Sequence, residues 1–398
     1  MSSESDDSQV RLLSSVIDEF LGGFPPATTT RRTFLNGQFD AGLAWVHFPV
    51  GRGGLGISSH LQHTVYERLS NVGAPTDRQK GVGFSMIAPT IMSWGDERQM
   101  ERHLRPIFNE DERWCQLFSE PGAGSDLAGL TTRAVRDGDE WILNGQKVWT
   151  SLANVSDLGA TLARTDSGVP KHQGLTYFAL DMRAPGIEVR PLRQITGQAE
   201  FNEVFLTDVR VPDASRLGPV GSGWKVALST LMNERIMYTS DGRDEGPIAL
   251  ALKLYQERGP LGPELRDRMV TLWIESRILQ LSSARAADNR AAGTPGPEGS
   301  TFKIGYARVS QEGYELCLEL LGDEALLYDS YAMEEFTADR FTEPPTADAQ
   351  TRFLRSRATS IEGGTTEIMR NILAERVLGL PVEHRIDKDV PFSQVPRS

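Results

Sequence analysis

Cysteine is scarce in this sequence: Cys115 and Cys317 are the only two among 398 residues, and they lie far apart. That excludes a disulfide framework, argues against a thiolate metal site, and suits a reducing cytoplasm. Long hydrophobic runs are missing too, since no uninterrupted apolar stretch approaches the roughly 18 residues a membrane helix needs. Positive charge is in deficit, with 42 Lys and Arg against 54 Asp and Glu, a formal net charge of −12. Nucleic acid or an anionic membrane is therefore a poor main partner, although a local basic pocket can still serve an anionic small molecule. The opening MSSESDDSQV is polar and acidic, unlike a secretory signal or an Arg-rich transit peptide. Residues 1–8 are expected to form a disordered tail. No G-x-S-x-G nucleophile elbow occurs.

What remains is an ordinary globular composition, 39% hydrophobic and 24% charged, long enough for two or three structural units with ample core. Periodicity divides it into three. Residues 9–113 read as helical: in QVRLLSSVIDEFL, Val10, Leu13, Ile17 and Phe20 recur at helical spacing, and SSHLQHTVYERLS and MSWGDERQMERHL continue the pattern. From Trp114 the period becomes two. The dipeptides Asp137-Gly138 and Asn144-Gly145 read as turns, and LTYFALDM, GIEVRPL and NEVFLTDVRVP as further strands, so 114–222 is expected to be an antiparallel β domain.

Helices return in 223–398. GWKVALSTLMNERIMY is one. A long helix follows from Pro263 to Gly293, with Leu265, Met269, Leu272, Leu279 and Ala286 as its apolar stripe. Ser300 is expected to cap the next, which stops at Gly322, and the last runs from Thr365 to Leu378 before Gly379. The order is α–β–α, an α+β protein ending in a helix bundle.

Two motifs tempt toward other chemistry. GRGGLG at 51–56 fits G-x-G-x-x-G, but its flanks are helical rather than βαβ, which favours a structural Gly-rich turn. His60 and His63 have no third ligand nearby and read as a polar helix face.

The block from 114 to 157, WCQLFSEPGAGSDLAGLTTRAVRDGDEWILNGQKVWTSLANVSD, is the most informative. PGAGSD offers exposed backbone N–H groups and the Ser125 hydroxyl, which could meet a flat polar ring or a phosphate. Trp149 stands beside the hydroxyls of Thr150 and Ser151. Taken alone, the block reads better as a turn beside a core tryptophan.

From PVGRGGLG to the terminal GGTTEIMRNILAERVLGLP, with SEPGAGSD and NGQKVWTS between, the chain closely resembles the acyl-CoA dehydrogenase family over nearly its whole length. The resemblance implies an N-terminal helical domain, a middle β domain and a C-terminal four-helix bundle, with FAD between the last two. It implies that Gln116, Phe118 and Ser119 line the isoalloxazine, that Gly124 and Ser125 touch flavin or substrate, and that Trp149 and Ser151 flank the ring. Thr365 and Glu367 would also contact FAD. The implied reaction removes the α-proton of an acyl-CoA while the β-hydrogen leaves as hydride to flavin N5, giving a trans-2-enoyl-CoA. An electron-transfer flavoprotein would receive the electrons.

The resemblance also bears on the base. Many members carry a Glu immediately before Gly-Thr in the C-terminal motif, but here Gly363 holds that position and Glu362 is displaced by one. Long-chain and isovaleryl members instead place the Glu on the first helix of the last domain, directly before an Arg, as Asn233-Glu234-Arg235 does here. Glu234 also has Thr230, Leu231, Met237 and Tyr238 on its helix face, an environment where a carboxylate is costly without a purpose. Glu234 is therefore expected to be the base, Arg235 to orient the site or bind near the CoA, and Glu362 to cap or face solvent. Two family features are absent: an R-x-x-F element that reaches a neighbouring subunit's FAD, and a Q-x-x-G-G-x-G stretch, replaced by LELLGDEALLYDS. This leaves a homo-oligomeric dehydrogenase, one half of a mixed oligomer with a related chain, or a flavin oxidase or monooxygenase on the same fold.

Overall fold

The computed structural model describes residues 2–75, 81–240, 246–259, 262–291, 296, 298–328, 330–337 and 348–396. The side chains of 2–6, 234–240, 287, 290, 291 and 298 lie outside that description. Five helices come first: α1 Ser2–Gly23, α2 Arg31–Asp40, α3 Gln62–Asn71, α4 Ala88–Trp94 and α5 Glu97–Phe108. The segment expected to be a tail is therefore helical from Ser2. Leu13, Ile17 and Phe20 are buried as their spacing predicts, whereas Val10 faces outward. The single helix expected over 92–104 is two, because Gly95 is extended and Asp96 starts α5 with a reciprocal capping box to Gln99. GRGGLG forms a turn in which a Cβ on Gly54 would lie 2.0 Å from the Phe48 carbonyl oxygen, so only glycine fits.

The middle of the chain supplies β1 Trp114–Leu117, β2 Arg133–Asp137, β3 Glu140–Ser151, β4 Leu158–Arg164, β5 Leu175–Asp181, β6 Ile187–Leu192, β7 Gln198–Ala199, β8 Phe201–Pro212 and β9 Arg216–Leu217. All but β7 join one sheet in the order β6-β8-β3-β2-β4-β5-β9, with β1 paired to β4. The sheet is mixed rather than wholly antiparallel: β1 runs parallel to β4, and β2 meets β4 through a parallel bridge. Asp137-Gly138 does open the β2–β3 hairpin, with Gly138 at φ 62°. Asn144-Gly145 is not a turn. It lies inside β3 at a register shift, where Asn144 Nδ2 donates to Asp208 and a Cβ on Gly145 would strike Thr132.

β5 is covered on both faces, which explains its almost unbroken burial. Tyr177 looks into a core shared with the N-terminal helices, while Phe178 packs with Trp141 and Leu206 inside the β layer. Helix α6, Gly223–Ser240, lies against the first of these faces through Val226 and Ala227.

The C-terminal part contains α7 Gly246–Arg258, α8 Pro263–Ala291, α9 Glu298–Leu321, α10 Ala349–Ser356 and α11 Thr366–Arg376, with β10 Glu334–Glu335 pairing β7 in parallel. Ser300 is buried within α9 rather than capping it. On α8 the expected stripe faces inward, with Leu272 and Ala286 buried and Leu265 and Met269 packed on the core of α7 and α9. A second apolar row, Val270, Trp273, Ile274, Ile278 and Leu281, is exposed. After α11 the chain folds back over the β layer. Among the described residues no helix is long and apolar enough to cross a membrane.

Candidate active site

The site begins where β1 ends. Gln116 is half-buried, Phe118 is buried edge-on to Tyr177 at 5.7 Å, and the Ser119 carbonyl accepts from Val148 N at 2.9 Å. This bond sets Phe118–Ser119 beside the end of β3. There β3 loses register between Lys147 and Thr150, and Trp149 takes φ 59°. A bulky residue in the left-handed region on a bulge is strained, and bulges re-aim side chains beside functional sites. The result here is an indole left 61% exposed, with Phe201 edge-on at 6.0 Å.

Behind this edge lies a buried ion pair that sequence reading missed. Glu120 and Lys147 meet at 2.9 Å with side chains 5% and 0% exposed. Lys147 Nζ also donates to the Phe118 carbonyl at 3.0 Å, while Glu120 accepts from the backbone N–H of Thr131 and Thr132 and from the Thr131 hydroxyl. Burial pushes the Glu120 carboxyl up, but the Lys147 charge and these hydrogen bonds win and hold it down at about 2. The pair fixes the segment after β1, which carries Phe118, to the strand carrying Trp149.

Glu362 neither caps a helix nor faces solvent. Arg355 donates to both of its oxygens, at 3.2 and 2.8 Å, and to Glu200 at 3.1 Å. Burial works against the Arg355 charge, yet Glu362 and Glu200 hold its pKa above the ordinary value. Its guanidinium lies 5.6 Å from the Phe201 ring. A continuous path therefore runs from the C-terminal turn through Arg355 and Phe201 to Trp149. In that turn Gly363 and Gly364 have φ 62° and 93°, and Thr365 caps α11 by accepting from Ile368 N at 3.1 Å. Glu367 is exposed in the first turn of the same helix.

Gly124 and Ser125 lie exposed on the loop after β1, with open space where a Cβ on Gly122 or Gly124 would sit. Ser125 lines a separate cleft of about 180 Å³ with Lys171, Trp224 and Arg385. On α6, Thr230 is fully buried, 3.3 Å from the Tyr177 hydroxyl and 3.0 Å from Thr90 on α4. Glu234 and Arg235 follow one turn later on the helix backbone, and their side chains lie outside the described residues. The structure thus joins Gln116, Phe118, Ser119, Trp149 and Ser151 at one edge. It ties Glu362, in the turn before Thr365, to that edge through Arg355, leaves Glu367 exposed, and sets Ser125 apart at the cleft.

This edge suits a flat aromatic cofactor. Trp149 offers an open indole face, and the buried Thr150 Oγ1 next to it has no hydrogen-bond partner. A thiol nucleophile is a poor alternative: burial pushes both Cys115 and Cys317 up to about 12. His60 sits 2.7 Å from the Ser58 hydroxyl and His63 is 3.1 Å from Glu67, both toward solvent.

Comparison with known proteins gives a consistent picture. The N-terminal, middle and C-terminal domain profiles of the acyl-CoA dehydrogenases match residues 25–111, 115–209 and 221–378. The acyl-CoA dehydrogenase IpdE1 of Mycobacterium tuberculosis is 36% identical over 361 residues, 89% of each chain. The acyl-CoA dehydrogenase FadE34 of the same organism is 39% identical over 86% of this chain, which spans only 45% of that longer protein. Among solved structures, the ChsE4–ChsE5 complex from M. tuberculosis superposes with a TM-score of 0.69 at 25% identity, covering 96% of this chain and 99% of the other.

Proposed function

This chain belongs to the acyl-CoA dehydrogenase family, an FAD-dependent group of oxidoreductases, and from that premise we propose that it converts an acyl-CoA thioester to a trans-2-enoyl-CoA with Glu234 as the base. The observation that carries the reading is the edge at Trp149, an exposed and strained aromatic placed beside Phe118 and Ser119 by a buried ion pair. FAD, when bound, supplies the acceptor for the hydrogen leaving the β-carbon. Gln116, Phe118, Ser119, Trp149 and Ser151 hold its ring, Gly124 and Ser125 approach ring or substrate, and Thr365 and Glu367 serve the cofactor from the C-terminal turn.

Glu234 takes the α-proton. So weak an acid demands a base of raised proton affinity. Its neighbour Arg235 orients the substrate, and α6 is braced against β5 and α4 through Thr230, one turn before the base. An electron-transfer flavoprotein accepts the electrons.

A second reading is favoured by one observation. The row from Val270 to Leu281 on α8 is too apolar for a face meant to meet water, and it suits a related dehydrogenase chain. The ChsE4–ChsE5 structure is itself a complex of two chains.

Anaerobic visible absorbance of the purified protein, titrated with a panel of acyl-CoAs, tests both. The expected result is flavin bands that bleach with at least one thioester, and bleaching slowed at least about a thousandfold in Glu234→Gln. A Glu234→Gln protein that bleaches at the wild-type rate sinks the assignment of the base. A colourless chain that stays apo in added FAD sinks the stand-alone enzyme and supports the mixed oligomer.

A further inference from the structure

The family profile ends at residue 378, yet the chain continues and folds back on itself. Pro391 bridges to Pro170, Phe392 N donates to the Val169 carbonyl, and Ser393 N donates to the Ser167 carbonyl, both at 2.9 Å. Phe392 is buried, with the Arg164 guanidinium 3.4 Å from its ring centroid. That guanidinium donates to the carbonyls of Ala128 at 2.6 Å, Leu130 at 3.1 Å and Lys171 at 3.1 Å. The tail is thus stacked on the arginine that holds the loop following Ser125. A second tie lies alongside: Lys171 Nζ bonds both oxygens of Asp126 at 2.8 Å and also Asp387. Loop and tail are fastened by one ammonium.

These contacts enclose the cleft lined by Ser125, Lys171, His172, Trp224, Arg385 and Lys388. Asp126 and Asp387 more than balance Lys171, so it is Arg385 and Lys388 that bring the lining to one net positive charge. Arg385 and Lys388 are then the cations open to a ligand. The nearest carboxylate to Arg385 is Glu375, at a loose 3.6 Å. On a chain of net charge −12, two exposed cations and a serine hydroxyl around one recess describe an anion site. The recess is polar and small, unsuited to an acyl chain and adequate for phosphate. The edge of His172 lies 4.8 Å from Trp224, giving an aromatic flank to whatever carries the phosphate.

We propose that residues 383–392 form a wall of the substrate cleft, and that Arg385 and Lys388 take the phosphate groups of the CoA moiety. This rests on the acyl-CoA reading above and extends it to a segment beyond the matched domains.

The test uses the purified holoprotein and the double variant Arg385→Ala/Lys388→Ala, both positions being exposed and outside the core. Calorimetry measures binding of adenosine 3′-phosphate 5′-diphosphate, the phosphorylated end of CoA, at low and high salt. Kinetics measures the ratio of kcat/KM for an acyl-CoA to that for the same acyl pantetheine thioester, which lacks the nucleotide. The expected result is nucleotide binding weakened about tenfold, most strongly at low salt, and a ratio that falls by a similar factor. A double variant that binds the nucleotide as tightly as wild type overturns the wall, and so does a wild-type enzyme that turns over acyl-CoA with no preference over the pantetheine thioester. A wild-type protein that binds the nucleotide in a tail-dependent way and oxidises no thioester leaves the wall standing and removes the dehydrogenase reading instead.

Discussion

Up to α6, helices, loop and one face of the sheet share a core in which Leu13, Ile87, Phe118 and Tyr177 are all nearly inaccessible, whereas α8 turns Trp273, Ile278 and Leu281 outward at 56%, 54% and 60% exposure. The first region closes on itself. It also buries a charge pair and satisfies the carboxylate from four donors, which only a rigid surround makes tolerable. The C-terminal helices have a smaller core around Leu272, Leu316 and Cys317, and keep an apolar row unspent on their outer face. The difference teaches that burial here is divided by purpose. One region holds a geometry, and the other offers a surface.

The sharpest way to break this contrast is Lys147→Met, which strands Glu120 in the closed region without its countercharge. A loss of about 3–5 kcal/mol in urea unfolding is expected, with Glu120→Gln/Lys147→Met recovering part of it. A loss below about 1 kcal/mol means that the pair is not what fixes the edge.

Acid probes the same region. The Glu120 pKa is depressed to about 2, so its contribution is complete above the ordinary carboxylate value and vanishes as pH falls through about 2. Unfolding free energy is expected to fall by about 3 kcal/mol between pH 5 and pH 2 from this group. In Glu120→Gln that component of the slope disappears. A variant with the wild-type slope places the acid sensitivity elsewhere.

The smallest effect on stability belongs to the open region. Trp273→Arg removes an exposed indole and is expected to change the chain's own unfolding free energy by no more than about 0.5 kcal/mol. Light scattering is where it registers, as a fall in assembly mass. Unchanged mass would leave that face without an occupant.

Sequence reading reached some of this and not the rest, for identifiable reasons. The inward stripe of α8 was legible because Leu265, Met269 and Leu272 repeat at helical spacing. The outer row was not, since an apolar residue off the stripe carries no mark of what meets it. Asn144-Gly145 carries the same residues whether it turns the chain or bulges a strand, and only the partner strand decides. Glu362 was expected to cap or face solvent, and its bond to Arg355 depends on how a turn and a helix pack. Lys147 and Glu120 both stood in the most informative block, and nothing local distinguishes a buried charge from a solvated one. Lys171 and Asp387 are 216 positions apart, beyond any pattern of spacing.

That separation has a consequence for the making of the protein. Arg164 and Lys171 leave the ribosome long before Phe392 and Asp387 exist, so the sheet can be assembled while the place for the tail stays open. Residues 387–392 are made long after the strands and loop they pack on. A product cut short before residue 387 therefore loses the contacts of Lys171 with Asp387 and of Arg164 with Phe392.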